Sequence, residues 1–204
     1  MQPRRILILY GTSYGQTAKI AGRIADTFTA WGEDVTRVNA EKVSTPIDVR
    51  AYDGVIIGAS VIRGRHQSTI REFVRRNVSA LNNMPTAFFS VSGSAASPDE
   101  RGRADARRCV ERFLDETRWR PAITETVGGA IAYTKYGVIL RWIMKQIARR
   151  NGGPTDTARD HELTNWIQVE NFAARFQARV DSPPFSFDER LAGTWSGSTF
   201  GAAS

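Results

Sequence analysis

The chain has 204 residues, 41% of them hydrophobic and 24% charged, which is enough for one sizeable core and too little for two comfortable ones. Its single cysteine, Cys109, excludes an internal disulfide framework, and one cysteine with two histidines cannot assemble a Cys/His zinc site, so a reducing, intracellular setting fits. A net charge of +7 favours an anionic partner, yet the basic residues are dispersed and accompany no nucleic-acid-binding motif, so no nucleic acid is expected.

From Met1 the chain passes through Arg4 and Arg5 into the apolar run Ile6-Leu7-Ile8-Leu9, which is too brief for a signal-peptide core or a membrane span. Ile6 to Tyr10 reads as an uninterrupted buried strand. Thr17 to Thr29 places Ile20, Ala21, Ile24, Ala25 and Phe28 at helical spacing, Gly32 ends that helix, and Asp34 to Val38 reads as a second strand. Gly54 to Gly58 is a third strand, apolar on both faces. The next helix is expected from Ser68, as its cap, to Leu81, with Ile70, Phe73, Val74 and Leu81 inward.

Ala87 to Val91 follows as the fourth strand. Ser97-Pro98-Asp99-Glu100 opens a helix with a cap, a proline at its first position and acids at its positive end. Ile123 to Val127 begins the fifth strand, and Trp166 to Arg179 is the last helix, with Val169, Phe172, Ala173 and Phe176 inward. Strands alternating with amphipathic helices predict an α/β fold with a doubly wound, five-stranded parallel sheet. Residues 1–180 form that domain. An inserted segment, about 128–164, precedes the last helix, and 181–204, rich in Pro, Gly and Ser, reads as a flexible tail.

The turn after the first strand carries the main functional signal. Gly11-Thr12-Ser13-Tyr14-Gly15-Gln16-Thr17 brings hydroxyls and backbone N–H groups to a helix N-terminus, which is an anion site. Gly15 allows tight folding around a phosphate, and no lysine or arginine lies inside the loop. A Walker loop requires Gly-Lys-Ser/Thr where Gly15-Gln16-Thr17 stands, and the dinucleotide fingerprint requires three glycines where only Gly11 and Gly15 occur. The bland alternative is a strand-to-helix turn whose hydroxyls only cap the helix.

Thr12-Ser13-Tyr14-Gly15-Gln16-Thr17 resembles the flavodoxin phosphate loop. Tyr52 to Ser60, then Gly64, His66 and Glu72-Phe73-Val74, is similar to one flavodoxin branch, the menaquinone-dependent protoporphyrinogen IX dehydrogenases. Leu81 to Val91, Trp119-Arg120-Pro121, Gly128-Gly129-Ala130, Gly152 to Thr157 and Asn165-Trp166 with Gln168-Val169 extend the resemblance to about Phe176. It implies a flavodoxin-like fold, FMN as cofactor, and oxidation of a porphyrinogen with electrons passed to a membrane quinone, menaquinone, in haem synthesis.

The cofactor contacts so implied come from Thr12, Ser13, Tyr14, Gly15, Gln16 and Thr17, from Ala59 and Ser60, and from Ser90, Val91, Ser92, Gly93 and Ser94. In such a sheet the ligand lies beyond the carboxyl ends of the strands, where the strand order reverses. The first loop would hold the phosphate, and the loops 60–66 and 90–96 would flank the flavin ring. Neither of those two supplies Trp, Tyr or Phe, which leaves one ring face open to a flat substrate. Arg63, Arg65 and His66 are candidates for pairing with substrate carboxylates, and Tyr133 and Tyr136 of the insertion for lining the substrate site. No side chain is assigned a catalytic proton or a metal.

From Thr126 to Thr155 there is no carboxylate. Read as a helix from about Gly137, Ile139, Leu140, Ile143, Met144 and Ile147 share one face, and Arg141, Lys145 and Arg149 the other. That is the composition of an interfacial helix on anionic lipid, and it predicts a cytoplasmic protein held at the inner face of the cell membrane. Arg107, Arg108 and Arg112 beside Cys109 would lower its pKa if the thiol were exposed to them, while a helix-buried thiol is the simpler reading. A soluble electron-carrying flavodoxin and a nicotinamide-fed quinone reductase are the competing functions. The basic balance opposes the first, and the lack of a second nucleotide fingerprint the other.

Overall fold

The computed structural model describes residues 2–43, 45–131, 156–158 and 161–182. Five parallel strands form the sheet: β1 (Arg5–Gly11), β2 (Asp34–Asn39), β3 (Gly54–Ile62), β5 (Thr86–Ser92) and β6 (Ile123–Gly128), in the order β2-β1-β3-β5-β6. A two-residue β4 (Arg65–His66) folds back antiparallel on the end of β3. The described helices are α1 (Gln16–Ala30), α2 (Ser68–Leu81), α3 (Glu100–Thr117) and α4 (Trp166–Asp181). The expected fold class is therefore the one observed, and the order selects between the two doubly wound alternatives.

Alternation along the strands sorts the core into two layers. Ile6, Ile8, Ile56, Phe89 and Val127 point to one face and meet Ile20, Ile24 and Phe28 of α1 with Phe172 and Phe176 of α4. Leu7, Leu9, Val55, Ile57 and Phe88 point to the other and meet Ile70 and Val74 of α2 with Val110 and Phe113 of α3. Each of these fully buried aliphatic or aromatic side chains contributes about 1.5–3 kcal/mol relative to exposure. Trp119, 1% exposed, closes the second layer, with its indole N–H donating to Thr86 Oγ1 at 3.2 Å and its ring edge-on to Phe88.

Two helix starts differ from expectation. Gln67, not Ser68, is the N-cap of α2, and its side chain makes no capping bond. Asp99, not Ser97, caps α3 by accepting from Arg101 N, so Pro98 lies outside the helix rather than at its first position. Helix α1 ends where expected, with Gly32 at φ 89°.

β3 runs four residues past the expected Gly58 because the tip is a hairpin. Arg63 (φ 50°) and Gly64 (φ 75°) both take the left-handed conformation of a two-residue turn, and Val61 and Ile62 pair with His66 and Arg65. After β6 the chain forms a short antiparallel stem, β7 (Ala130–Ile131) against β8 (His161–Glu162), at the base of the expected insertion. Most of that insertion, with its basic amphipathic stretch, Tyr133 and Tyr136, lies outside the described residues, as does the expected tail beyond Ser182.

Candidate cofactor and substrate site

The sheet order reverses between β1 and β3, and their ends lie side by side with Gly11 in register with Ala59. The first loop closes on itself through Gly15 N donating to Thr12 Oγ1 at 3.0 Å. Gly15 sits at φ 97°, ψ −15°, a left-handed conformation that glycine adopts freely, and serves as the N-cap of α1 without a side-chain cap. Ser13 is exposed at the mouth. Thr17, in the first turn of α1, is 1% exposed, and its hydroxyl has no hydrogen-bond partner among the described residues. A cap would have satisfied these groups from within the chain. The geometry instead leaves a buried hydroxyl waiting at a helix N-terminus.

The second loop approaches the first closely. Ser13 Oγ lies 3.4 Å from Ser60 Oγ, and the Gln67 side-chain amide donates to Ser60 Oγ and, at 3.3 Å, to Ser13 Oγ. Gly11 is required beneath this bridge, because a Cβ there would stand 2.9 Å from Ile70 Cγ1 and 3.3 Å from the Gln67 amide. The third loop turns through Ser92, whose Oγ accepts from Ala95 N at 3.1 Å, leaving Gly93 and Ser94 exposed. Val91 is buried in the core, and Ser90, 1% exposed, has its hydroxyl on His66, so both can meet a ligand only through the backbone.

The stem of the insertion ties loops one and three together. Gln16 Nε2 donates to Thr164 Oγ1 at 2.8 Å, and that hydroxyl donates to Gly128 O at 2.7 Å. Gly129 N donates to Ser92 O at 3.0 Å, and Lys19 pairs with Glu162. Gln16 thus binds the stem through its side chain. Nothing in the local spacing of Gln16, Gln67 or Thr164 signals these contacts; a cap residue that does not cap is the one trace Gln67 leaves.

His66 departs from its expected role. Expected among the basic contacts for substrate, it is 6% exposed, packed edge-on to Phe88 and Phe113 and hydrogen-bonded through Nε2 to Ser90 Oγ at 2.8 Å. Burial, reinforced by the nearby Arg71 guanidinium and only partly opposed by Glu116, lowers its pKa from 6.5 to about 4. It is neutral at physiological pH and offers no charge to a carboxylate. Because the unfolded chain binds this proton and the folded one refuses it, stability falls as pH drops from 6.5 towards 4. The loss expected from this residue is about 3 kcal/mol, and His66→Asn should flatten that limb of the stability-against-pH curve measured by urea unfolding.

Arg63 and Arg65 are both exposed on the β3–β4 hairpin. Cys109 lies on α3 half-buried rather than buried, and desolvation pushes its thiol up, outweighing Arg112 and Arg108, so the arginines do not activate it.

A flavodoxin-domain family model matches residues 7–158, three quarters of the chain, which includes the loops after β1, β3 and β5. The chain belongs to the flavodoxin family. Protoporphyrinogen IX dehydrogenase [quinone] from Escherichia coli strain K12 is 35% identical over 179 residues, covering 88% of this chain and 98% of that protein. The protein of the same name from Leishmania major is 30% identical, covering 87% of this chain and 76% of that one. Among solved structures, oxidised flavodoxin 1 from Bacillus cereus superposes with a TM-score of 0.52 at 15% identity, covering 85% of this chain and 97% of its own. That last likeness is one of fold.

As a flavodoxin the chain is an FMN protein, and its residues fit the group. The buried Thr17 hydroxyl is a donor lacking an acceptor, Gly15 makes room at the helix N-terminus, and the absence of basic side chains in the loop suits binding by hydroxyls and backbone N–H.

Proposed function

We propose that this flavodoxin oxidises protoporphyrinogen IX to protoporphyrin IX and delivers the electrons to a membrane quinone, menaquinone, in haem biosynthesis. The observation that carries this reading is the 35% identity spread over nearly the full length of a protein named for that reaction. A shared fold alone would support only an electron carrier. FMN, when bound, supplies the redox chemistry by taking hydrogen from the substrate and releasing electrons to the quinone.

The chain's own part is to bind and orient. Thr12, Ser13, Gly15 and Thr17 hold the phosphate, Ala59, Ser60 and the backbone of 90–94 border the ring, and the absence of aromatics in loops 60–66 and 90–96 leaves a face open for a flat substrate. Arg63 and Arg65 then meet its propionates. Replacing both by glutamine should raise KM for the porphyrinogen at least about tenfold with little change in kcat, since the contacts are the same in ground and transition states. An unchanged KM removes them from the site.

We further infer that the basic insertion lies on anionic lipid, which brings the flavin site to the quinone. Among the described residues no helix is long and apolar enough to cross a membrane. Sedimentation with phosphatidylglycerol vesicles should be strong at low salt and largely lost when Arg141, Lys145, Arg149 and Arg150 are neutralised. Binding that ignores those charges contradicts this part of the reading.

The enzyme assignment is tested anaerobically by mixing FMN-loaded protein with protoporphyrinogen IX and a menaquinone analogue and following porphyrin fluorescence. Fluorescence that rises only when protein and quinone are both present supports it. Bound flavin with no porphyrin formed returns the chain to the electron carriers or quinone reductases.

A further inference from the structure

The side-chain amide of Gln67 stands between the first two loops, over the end of β1. Its Nε2 donates to Ser60 Oγ and to Ser13 Oγ, while its Oε1 is buried with no partner among the described residues. Gln67 occupies the N-cap of α2, where a polar side chain ordinarily satisfies the first N–H groups, yet it makes no such bond. Its amide has been diverted to the two serines, 7 and 54 residues away in sequence.

A serine hydroxyl carries one proton and two lone pairs. With Nε2 occupying a lone pair on each serine, neither proton is spent on Gln67. The two oxygens lie 3.4 Å apart, so one can donate to the other, and at least one proton is left for an acceptor outside the cluster. Ser13 is exposed at the mouth of the first loop and Ser60 half-buried beside it, so whichever of the two keeps that proton can turn it to a ligand there. Reversal of the amide would have the opposite effect, with Oε1 accepting both protons and the serines presenting only lone pairs to a ligand that is itself anionic.

We propose that Gln67 is a positioning residue for the cofactor: by donating to Ser13 and Ser60 it converts their hydroxyls into donors for FMN. The proposal rests on the reading of the first loop as the FMN site. Gln67 touches the reacting atoms nowhere and acts through the two serines.

The test is titration of the FMN-free protein with FMN, read by quenching of flavin fluorescence, for the unaltered chain, Gln67→Met, Gln67→Glu, the pair Ser13→Ala/Ser60→Ala, and that pair combined with Gln67→Met. Methionine keeps the length of the side chain and removes the donor, and should weaken FMN binding about tenfold. Glutamate draws both hydroxyl protons inward and adds a negative charge, and should weaken it further. In the background lacking both serines, Gln67→Met should change the affinity less than about twofold, because the groups it acts through are gone. A tenfold loss that persists there assigns Gln67 a packing role and overturns the proposal, as does FMN binding by Gln67→Glu as tight as in the unaltered chain. Failure of the unaltered chain itself to bind FMN would overturn the cofactor site first and the proposal with it.

Discussion

Thr17→Val should make the FMN-free protein more stable and the FMN complex weaker. Valine is close to threonine in shape and equally β-branched, so the helix turn and the packing are kept while the hydroxyl is removed. That hydroxyl is buried without a partner in the structure, a condition that costs about 1–3 kcal/mol. Its removal should therefore raise the melting temperature of the flavin-free chain by a few degrees, at about 2–4 °C per kcal/mol for a domain of this size. If the same hydroxyl donates to the phosphate as proposed, FMN affinity should fall roughly 10- to 150-fold, since hydrogen bonds to charged groups are worth about 1.5–3 kcal/mol. A helix cap predicts the reverse, with stability lost and flavin binding unaffected. Gly15→Val should also abolish tight binding, by forcing a β-branched residue to φ 97°, but it strains the loop and so separates the two readings less cleanly.

The largest loss of stability is expected from Gly58→Val. Gly58 lies on central strand β3 in register with Phe89, and a Cβ at this position would stand 2.0 Å from the Phe89 ring. The ring has nowhere simple to go, being packed edge-on to Phe172 at 6.0 Å inside the layer formed with α1 and α4. Overpacking of this kind costs about 1–3 kcal/mol or more, and the β-branched side chain should put this site at or above the upper end. A fall of roughly 6–12 °C in melting temperature is expected at about 3 kcal/mol. Adding Phe89→Leu, which shortens the obstructing side chain, should return part of that loss. A valine variant that melts like the unaltered chain would mean that the ring does not cross the strand there.

What the sequence made legible follows from the range of the interactions involved. The five parallel strands and the helices α1, α2, α3 and α4 are written in local hydrophobic patterns, and their bounds differ from expectation by only a few residues, β3 by four. The candidate phosphate loop is equally local: glycine, hydroxyls and the start of the following helix all lie within 11–17. His66 is different. The sequence groups it with Arg63 and Arg65 as a basic loop, but the turn at Arg63 and Gly64 sends the chain back along β3, and pairing with Val61 carries the imidazole edge-on against the stacked Phe88 and Phe113 rings. Gln67, Thr164 and the stem contact of Gln16, itself expected among the cofactor residues, escaped for a related reason. Each acts on a partner that only the assembled sheet brings near, as when Gln16 meets Thr164 148 positions away. The start of α3 was misplaced by a nearer competition, in which Asp99 takes the cap that Ser97 and Pro98 also advertise.

The most direct test of the account divides the reaction into halves. FMN-loaded protein is mixed with protoporphyrinogen IX under strict exclusion of oxygen and quinone, the visible flavin absorption is recorded, and a menaquinone analogue is then added. Bleaching of the flavin band on adding the porphyrinogen, return of the band on adding quinone, and completed porphyrin accumulating only as the quinone turns the flavin over are the results this account predicts. A flavin band that the porphyrinogen leaves untouched, in protein that binds FMN tightly, would contradict it.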